Sequence, residues 1–124
     1  MKAIILKTFG VVLMLTAMQA CYYDNEETLY PDSVACDTTN VTYAGTIAPI
    51  MAANCNSCHN SGLANGGVIT ESYDGLKIVA DNGRLEGAVF HQSGYSPMPQ
   101  NLPQLPDCEL TKIKIWIDAG AINN

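Results

Sequence analysis

The chain has 124 residues and a formal net charge of −6, with 6 Lys and Arg against 12 Asp and Glu. This length allows one small domain, and an apolar content of 48% with only 15% charged residues excludes a disordered tail. The shortage of clustered basic side chains excludes a protein that binds the phosphate backbone of nucleic acid.

The first twenty residues have the layout of a secretory signal. Two lysines accompany an uncharged, mostly apolar run over residues 9–17, which is short for a membrane span of about 20 residues. We therefore predict that residues 1–20 are a signal and that the protein is exported. The junction before Cys21 resembles that of a bacterial lipoprotein signal, which implies that Cys21 is acylated. An ordinary cleaved signal, with an incidental cysteine after it, is the alternative.

A polar, acidic stretch follows over residues 21–42. Its composition predicts a solvated tether between the lipid and a domain over residues 43–124. It also resembles the acidic segments that direct some lipoproteins to the cell surface. The predicted location is thus an exported protein, anchored by lipid to a bacterial membrane on its periplasmic or cell-surface side, with no further transmembrane segment.

A haem-attachment motif, Cys-Asn-Ser-Cys-His, occupies residues 55–59. We predict that Thr46 caps the helix that leads into it. In this motif two thiols add across the vinyl groups of haem, and the adjacent imidazole becomes the proximal iron ligand. The sequence therefore predicts one covalent haem c, attached through Cys55 and Cys58, with its iron bound by His59.

Two other uses of a Cys-x-x-Cys pair stay open. One is a thioredoxin-like redox centre, but the chain shows no alternation of strands and helices that would form that sheet. The other is a zinc site, but two histidines and no second Cys-x-x-Cys leave zinc without four ligands at a recognisable spacing. Export favours haem, because haem is attached to such motifs outside the cytoplasm.

Three further helices are predicted after the motif. Two are short, over residues 73–80 and 84–90, and an Asn-Gly turn signal separates them. The last begins with Asp107 as its N-cap and ends at Gly120. The predicted fold class is all-α.

A haem iron held by one histidine needs a second axial ligand or an open position. Met51 lies four residues before Cys55, on the same side of the haem as the motif, and cannot reach across. Met98 lies far enough along the chain to reach the other face, and the prolines on either side of it stiffen its loop. We predict Met98 as the distal ligand, with His91 as the alternative.

Several short segments together carry a family resemblance. They are residues 47–50, 55–59, 72–76, 97–99 and 113–120. Over residues 43–124 the chain resembles a small monohaem cytochrome c of the class I type, in the exported, often lipid-anchored bacterial branch. The resemblance implies helices and loops wrapped around one covalent haem. Many members have a proline soon after the histidine, whose carbonyl accepts the imidazole proton; here a carbonyl near residues 63–66 would serve instead.

The resemblance also bears on the two remaining cysteines. In class I cytochromes the first and last helices cross and pack, which implies that the chain before Thr46 lies near Cys108. A disulfide between Cys36 and Cys108 is then expected in an oxidising compartment. Two free buried thiols are the alternative.

The ligand set leads to a predicted function. Coordination by a histidine and a methionine leaves no open position for a substrate, so we predict a monomeric single-electron carrier rather than an enzyme. Its partners would be redox proteins, and it would contact the membrane through its lipid. The alternatives are a haem peroxidase or gas sensor with an open or His-ligated iron, and an accessory domain of a larger assembly.

Overall fold

The computed structural model describes residues 36–124. The predicted signal over residues 1–20, the predicted acylation site Cys21 and the first part of the predicted tether lie outside the described residues. Within the described part, every regular element is a helix or a helical turn. The predicted all-α class is therefore confirmed for this part of the chain.

Residues Cys36–Asn124 form one compact unit, which includes the residues just before Tyr43. Cys36 forms a disulfide with Cys108, and their Cα atoms are 5.4 Å apart. Val41 packs against the hydrophobic core. Because these two contacts tie it down, the end of the segment predicted as a tether forms part of the folded unit.

The first helical segment starts with a wide π-helical turn, Tyr43–Ile47, and continues as helix α1, Ala48–Asn54. The prediction that Thr46 caps this segment is wrong. Thr42 is the N-cap, since its backbone is extended and its hydroxyl accepts a hydrogen bond from the Gly45 N–H at 3.1 Å. Thr46 lies inside the turn, because the turn begins directly after Thr42. The helical segment therefore starts earlier than a cap at Thr46 would predict.

The two short helices occur where the sequence predicts them, as α2, Tyr73–Asp81, and α3, Arg84–Val89. The Ser72 hydroxyl caps α2 by accepting a hydrogen bond from the Gly75 N–H at 3.3 Å. Gly83 stands between the helices with φ of 77°, a left-handed conformation that glycine adopts without steric cost. The Asn-Gly signal therefore separates α2 from α3 as expected.

The last helix, α4, spans Asp107–Asp118. Its N-cap is Pro106, which makes no side-chain hydrogen bond, so the prediction of Asp107 as the cap is wrong. Pro106 is extended and begins the helix one residue earlier; the Asp107 carboxylate lies in the first turn, where it complements the helix dipole. Gly120 ends the helix as predicted, with φ of 87° and its N–H donating to the Ile117 carbonyl at 2.9 Å.

The core lies where the first helical segment meets the other helices. The largest fully buried side chains are Trp116, Ile47, Met51, Leu76 and Ile113. The first turn packs on α4, with 6.0 Å between the ring centroids of Tyr43 and Trp116. The Ala44 N–H also donates to the Asn124 carbonyl at 3.0 Å, so the start of the helical domain is fixed to its end. Across residues 36–124, no helix has the length and apolar character needed to span a membrane.

Candidate functional site

Two adjoining cavities, which together we call the cleft, lie between the Cys-x-x-Cys-His motif and the loop that carries Met98. Their volumes are about 390 Å³ and 320 Å³, within the range of about 300–1,000 Å³ usual for ligand pockets. The residues that line both are Cys55, His59, Val68, Arg84, Ser96 and Met98. The cleft thus collects the predicted haem-binding side chains on one surface.

The motif forms a tight turn directly after α1. The N–H groups of Cys58 and His59 both donate to the Cys55 carbonyl, at 3.1 Å and 3.0 Å. Cys55 is half-buried and lines both cavities, whereas Cys58 is exposed and lines the smaller one. The turn therefore brings two free thiols and one imidazole to the same cleft.

Thr70 holds the motif in place from inside the protein. It is only 5% exposed, and its N–H donates to the His59 carbonyl at 2.7 Å. Its hydroxyl donates to the Asn56 side-chain oxygen at 2.8 Å. Thr70 therefore fixes both the backbone of His59 and the side chain of Asn56, and no pattern in the sequence indicates this role.

The orientation of the His59 ring is set by Asn65. The Nδ1 atom of His59 lies 3.1 Å from the Asn65 carbonyl oxygen. Because a carbonyl can only accept, Nδ1 carries the hydrogen and Nε2 keeps a lone pair that is free to bind a metal. The Asn65 N–H in turn donates to the Cys58 carbonyl at 3.3 Å. The acceptor expected near residues 63–66 is therefore the carbonyl of Asn65.

A left-handed stretch of backbone shapes this loop. Ala64, Gly66 and Gly67 have φ values of 43°, 66° and 68°, which fold the chain back towards the motif in the short 3-10 turn Asn65–Gly67. The Arg84 guanidinium donates to the Gly66 carbonyl at 3.2 Å. Arg84 carries the one permanent charge among the described residues that line the cleft, so it favours an anionic group on a ligand there.

Met98 and the apolar walls face the motif across the cleft. Met98 is half-buried, lines both cavities, and donates its N–H to the Ala88 carbonyl at 3.0 Å. The larger cavity has mainly aliphatic walls, from Val68, Val79, Leu85, Ala88 and Val89. The thioether of Met98 thus shares a largely apolar cleft with the imidazole of His59.

His91 occupies a different position from Met98. It lines neither of the two cavities, is exposed, and places its Nε2 atom 3.0 Å from the Met98 carbonyl oxygen. That nitrogen must carry a hydrogen, because the carbonyl only accepts. Its lone pair is therefore unavailable to a metal in this arrangement, in contrast to Nε2 of His59.

The Cys55 thiol has an unusual acidity. Burial, together with the negative charge of Glu109, raises the pKa of Cys55 from 9.0 to about 11. The Glu109 carboxylate is itself fixed by the Asn54 side-chain amide at 3.2 Å. Thioredoxin-like centres depend on a lowered cysteine pKa, so this thiol has the opposite character to a redox nucleophile.

The donor set also bears on zinc. A structural zinc site takes four cysteine, histidine or carboxylate ligands. Among residues 36–124, no three or more side chains of these types come together in a group that could hold a metal ion. The described residues therefore do not complete a tetrahedral site around the motif.

Comparisons with known proteins add no family assignment. No protein-family model matches the chain, and neither a curated protein nor a solved structure was found to match it. The function of the cleft must therefore be inferred from its own residues.

Proposed function

We propose that the protein is a small cytochrome c-like electron carrier, with one haem c attached through Cys55 and Cys58 and its iron bound by His59 and Met98. The observation that carries this proposal is the state of the His59 ring. Its Nδ1 is held by the Asn65 carbonyl, which leaves Nε2 free in a cleft that both thiols and the Met98 thioether also line. Together these side chains supply the chemistry that haem c requires.

The residues of the cleft fit each part of that cofactor. Each thiol would add across one vinyl group, forming a carbon–sulfur bond while its hydrogen passes to the other vinyl carbon, so no oxidant is needed. The aliphatic walls would exclude water from the macrocycle. Arg84, at the exposed edge, would pair with a propionate carboxylate.

Haem, when bound, supplies a reversible one-electron centre. If His59 and Met98 both bind the iron, no site would remain for a substrate, and the function would be electron transfer rather than catalysis. A thioether ligand and an apolar pocket both favour ferrous iron, so they raise the reduction potential. His91 is the weaker candidate for the distal ligand because it lines neither cavity and its Nε2 hydrogen is already in use.

The proposal extends to the location of the protein. A disulfide between Cys36 and Cys108 suits an oxidising compartment, which supports export. We place the lipid on Cys21 and the tether between it and the folded unit that begins at Cys36. Removal of residues 1–20 takes away two of the six basic residues and none of the 12 acidic ones, so the formal charge becomes −8. This charge favours a redox partner with a basic or neutral docking face.

Intact mass tests the covalent attachment. The protein would be expressed with export and with haem-attachment machinery, then denatured before weighing. We expect one haem per chain in the wild type and none in the Cys55→Ala/Cys58→Ala double variant. Ser57→Ala is the matched control, since Ser57 is an exposed spacer in the motif and its loss should leave the haem attached. A wild type without bound haem would overturn the proposal.

A further inference from the structure

The loop between α3 and Met98 starts and returns at the same turn of α3. The N–H groups of His91 and Met98 both donate to the Ala88 carbonyl, at 3.3 Å and 3.0 Å. The Gln92 N–H donates to the Gly87 carbonyl at 2.9 Å. The backbone of Met98 is thus fixed on its amide side by α3.

The middle of the loop is held by close packing. Tyr95 lies against Gly87 so tightly that a Cβ atom added to Gly87 would lie 2.4 Å from the Tyr95 ring. This contact fixes the loop three residues before Met98. The Tyr95 contact does not reach the peptide group on the carboxyl side of Met98, which needs a different partner.

The group that does this is the His91 side chain. Its Nε2–H donates to the Met98 carbonyl at 3.0 Å, joining the two ends of the loop. His91 has φ of 52°, a left-handed conformation that is uncommon outside glycine and in which histidine is over-represented. The same residue therefore both turns the chain out of α3 and reaches back to the residue that ends the loop.

We propose that His91 is a positioning residue for Met98, an inference that rests on the proposed function. With the amide of Met98 bonded to Ala88 and its carbonyl bonded to His91, both peptide groups beside the thioether are fixed, and the sulfur is held towards the cleft. Loss of the His91 bond frees the second peptide group. The fraction of iron bound by Met98 then falls, and external ligands gain access to it.

Two substitutions distinguish the effect of the His91 hydrogen bond from the effect of its left-handed backbone. His91→Gln keeps an amide donor about as far from the backbone as Nε2. His91→Asn suits the left-handed backbone equally well or better, but its amide is too short to reach the Met98 carbonyl. His91 is exposed, so neither change disturbs the core.

The measurement is imidazole binding to the ferric holoprotein, with the weak sulfur-to-iron absorption band recorded in parallel. We expect His91→Asn to weaken the band and to tighten the apparent imidazole affinity by about three- to tenfold, the effect of losing one ordinary hydrogen bond. His91→Gln should remain close to the wild type in both readouts. Covalent haem content should be the same in all three proteins.

Three results would overturn the inference. An unchanged His91→Asn would show that the hydrogen bond has no such effect, and an impaired His91→Gln would show that a donor at this position is not sufficient. A wild-type holoprotein without the sulfur-to-iron band would contradict Met98 ligation itself. That last result is distinguishable because it appears before any substitution at His91.

Discussion

His59 and Asn65 are joined through the ring of one and the backbone of the other, with 3.1 Å between Nδ1 and the carbonyl oxygen. The carbonyl fixes the tautomer and the direction of the ring, and an acceptor at Nδ1 makes the opposite nitrogen a stronger metal ligand. The Asn65 N–H is bonded to the Cys58 carbonyl. One loop residue therefore ties the thiol-bearing turn to the orientation of the imidazole.

The left-handed backbone at Gly66 should be needed for this arrangement. Gly66→Val places a β-branched side chain at φ of 66°, which costs about 1–2 kcal/mol of stability and shifts the Asn65 carbonyl away from the ring. A less basic imidazole stabilises ferric iron less, so the reduction potential should rise. Redox titration and urea unfolding measure the two effects. Leu63→Ala, a change at a side chain of the same loop that is 60% exposed, should alter neither; an unchanged potential in Gly66→Val would count against the role of Asn65.

The Thr70 hydroxyl should contribute measurably to stability. Thr70→Val removes the donor to Asn56 inside the protein and leaves that oxygen without this partner, at a cost of about 1–3 kcal/mol. Thr70→Ser keeps the hydroxyl and should retain most of this energy, apart from a small loss of packing. Urea unfolding of the three proteins provides the comparison. Equal stability of the valine variant and the wild type would refute the role of this bond.

The disulfide should make a large contribution to folding. It links Cys36 to Cys108 across 72 positions of the sequence, and the chain-entropy model assigns a loop of this size about 4 kcal/mol. Ascorbate keeps the iron ferrous in every sample without reducing disulfides. Thioether bonds resist reductant, so added dithiothreitol should destabilise the holoprotein by breaking the disulfide. The Cys36→Ser/Cys108→Ser variant is the control, because its unfolding midpoint should not respond to reductant. A wild-type midpoint that also fails to respond would contradict the bond or its contribution.

The two motif thiols should differ in reactivity before haem is attached. Because the pKa of Cys55 is raised to about 11 by burial and by Glu109, its alkylation should be slow at pH 8 and should accelerate as the pH approaches 11. Cys58 is exposed and should react first. Mass spectrometry of the alkylated apoprotein gives both rates. Glu109→Gln should speed the reaction of Cys55 by removing the nearby negative charge, with Asp107→Asn in the same helical turn as the control.

The same pKa determines how apoprotein stability depends on pH. The folded state holds the Cys55 proton more tightly than the unfolded state does, so this group's stabilising contribution is complete below pH 9 and is lost as the pH rises through 11. The stability of the apoprotein should therefore fall across this window. The holoprotein, whose Cys55 sulfur is a thioether, should lack this component. Urea unfolding midpoints of both proteins at several pH values provide the test. A fall between pH 9 and 11 in both proteins, or in neither, would contradict the raised pKa of Cys55 as its cause.

Local signals in the sequence were sufficient to predict the helices and the motif. Apolar spacing and the Asn-Gly pair separate α2 from α3, and Gly120 ends α4, because these features depend on neighbouring residues. The capping predictions at Thr46 and Asp107 were wrong because several residues near each start could serve as caps. Thr42 and Pro106 are the N-caps because their backbones are extended where the helical conformation begins.

The supporting residues of the cleft could not be found in this way. Thr70 reaches Asn56 across 14 positions and the loop reaches His59 through a backbone carbonyl, and neither contact has a pattern in the sequence. The family resemblance did lead us to expect an acceptor near residues 63–66, and the Asn-Gly-Gly run signals a turn there. Which carbonyl of that loop faces the ring depends on the fold. The contact of His91 with Met98 likewise depends on how the loop closes on α3.

The most direct test of the central claim is the optical spectrum of the exported protein, oxidised and reduced, beside that of Met98→Ala. We predict a covalent c-type haem, shown by the pyridine haemochrome, whose sulfur-to-iron band is present in the oxidised wild type and absent from the variant. The ferrous variant should bind carbon monoxide, whereas the wild type should resist it. A wild type that contains haem but lacks the band would contradict Met98 ligation, and a protein with zinc or no cofactor would contradict the account as a whole.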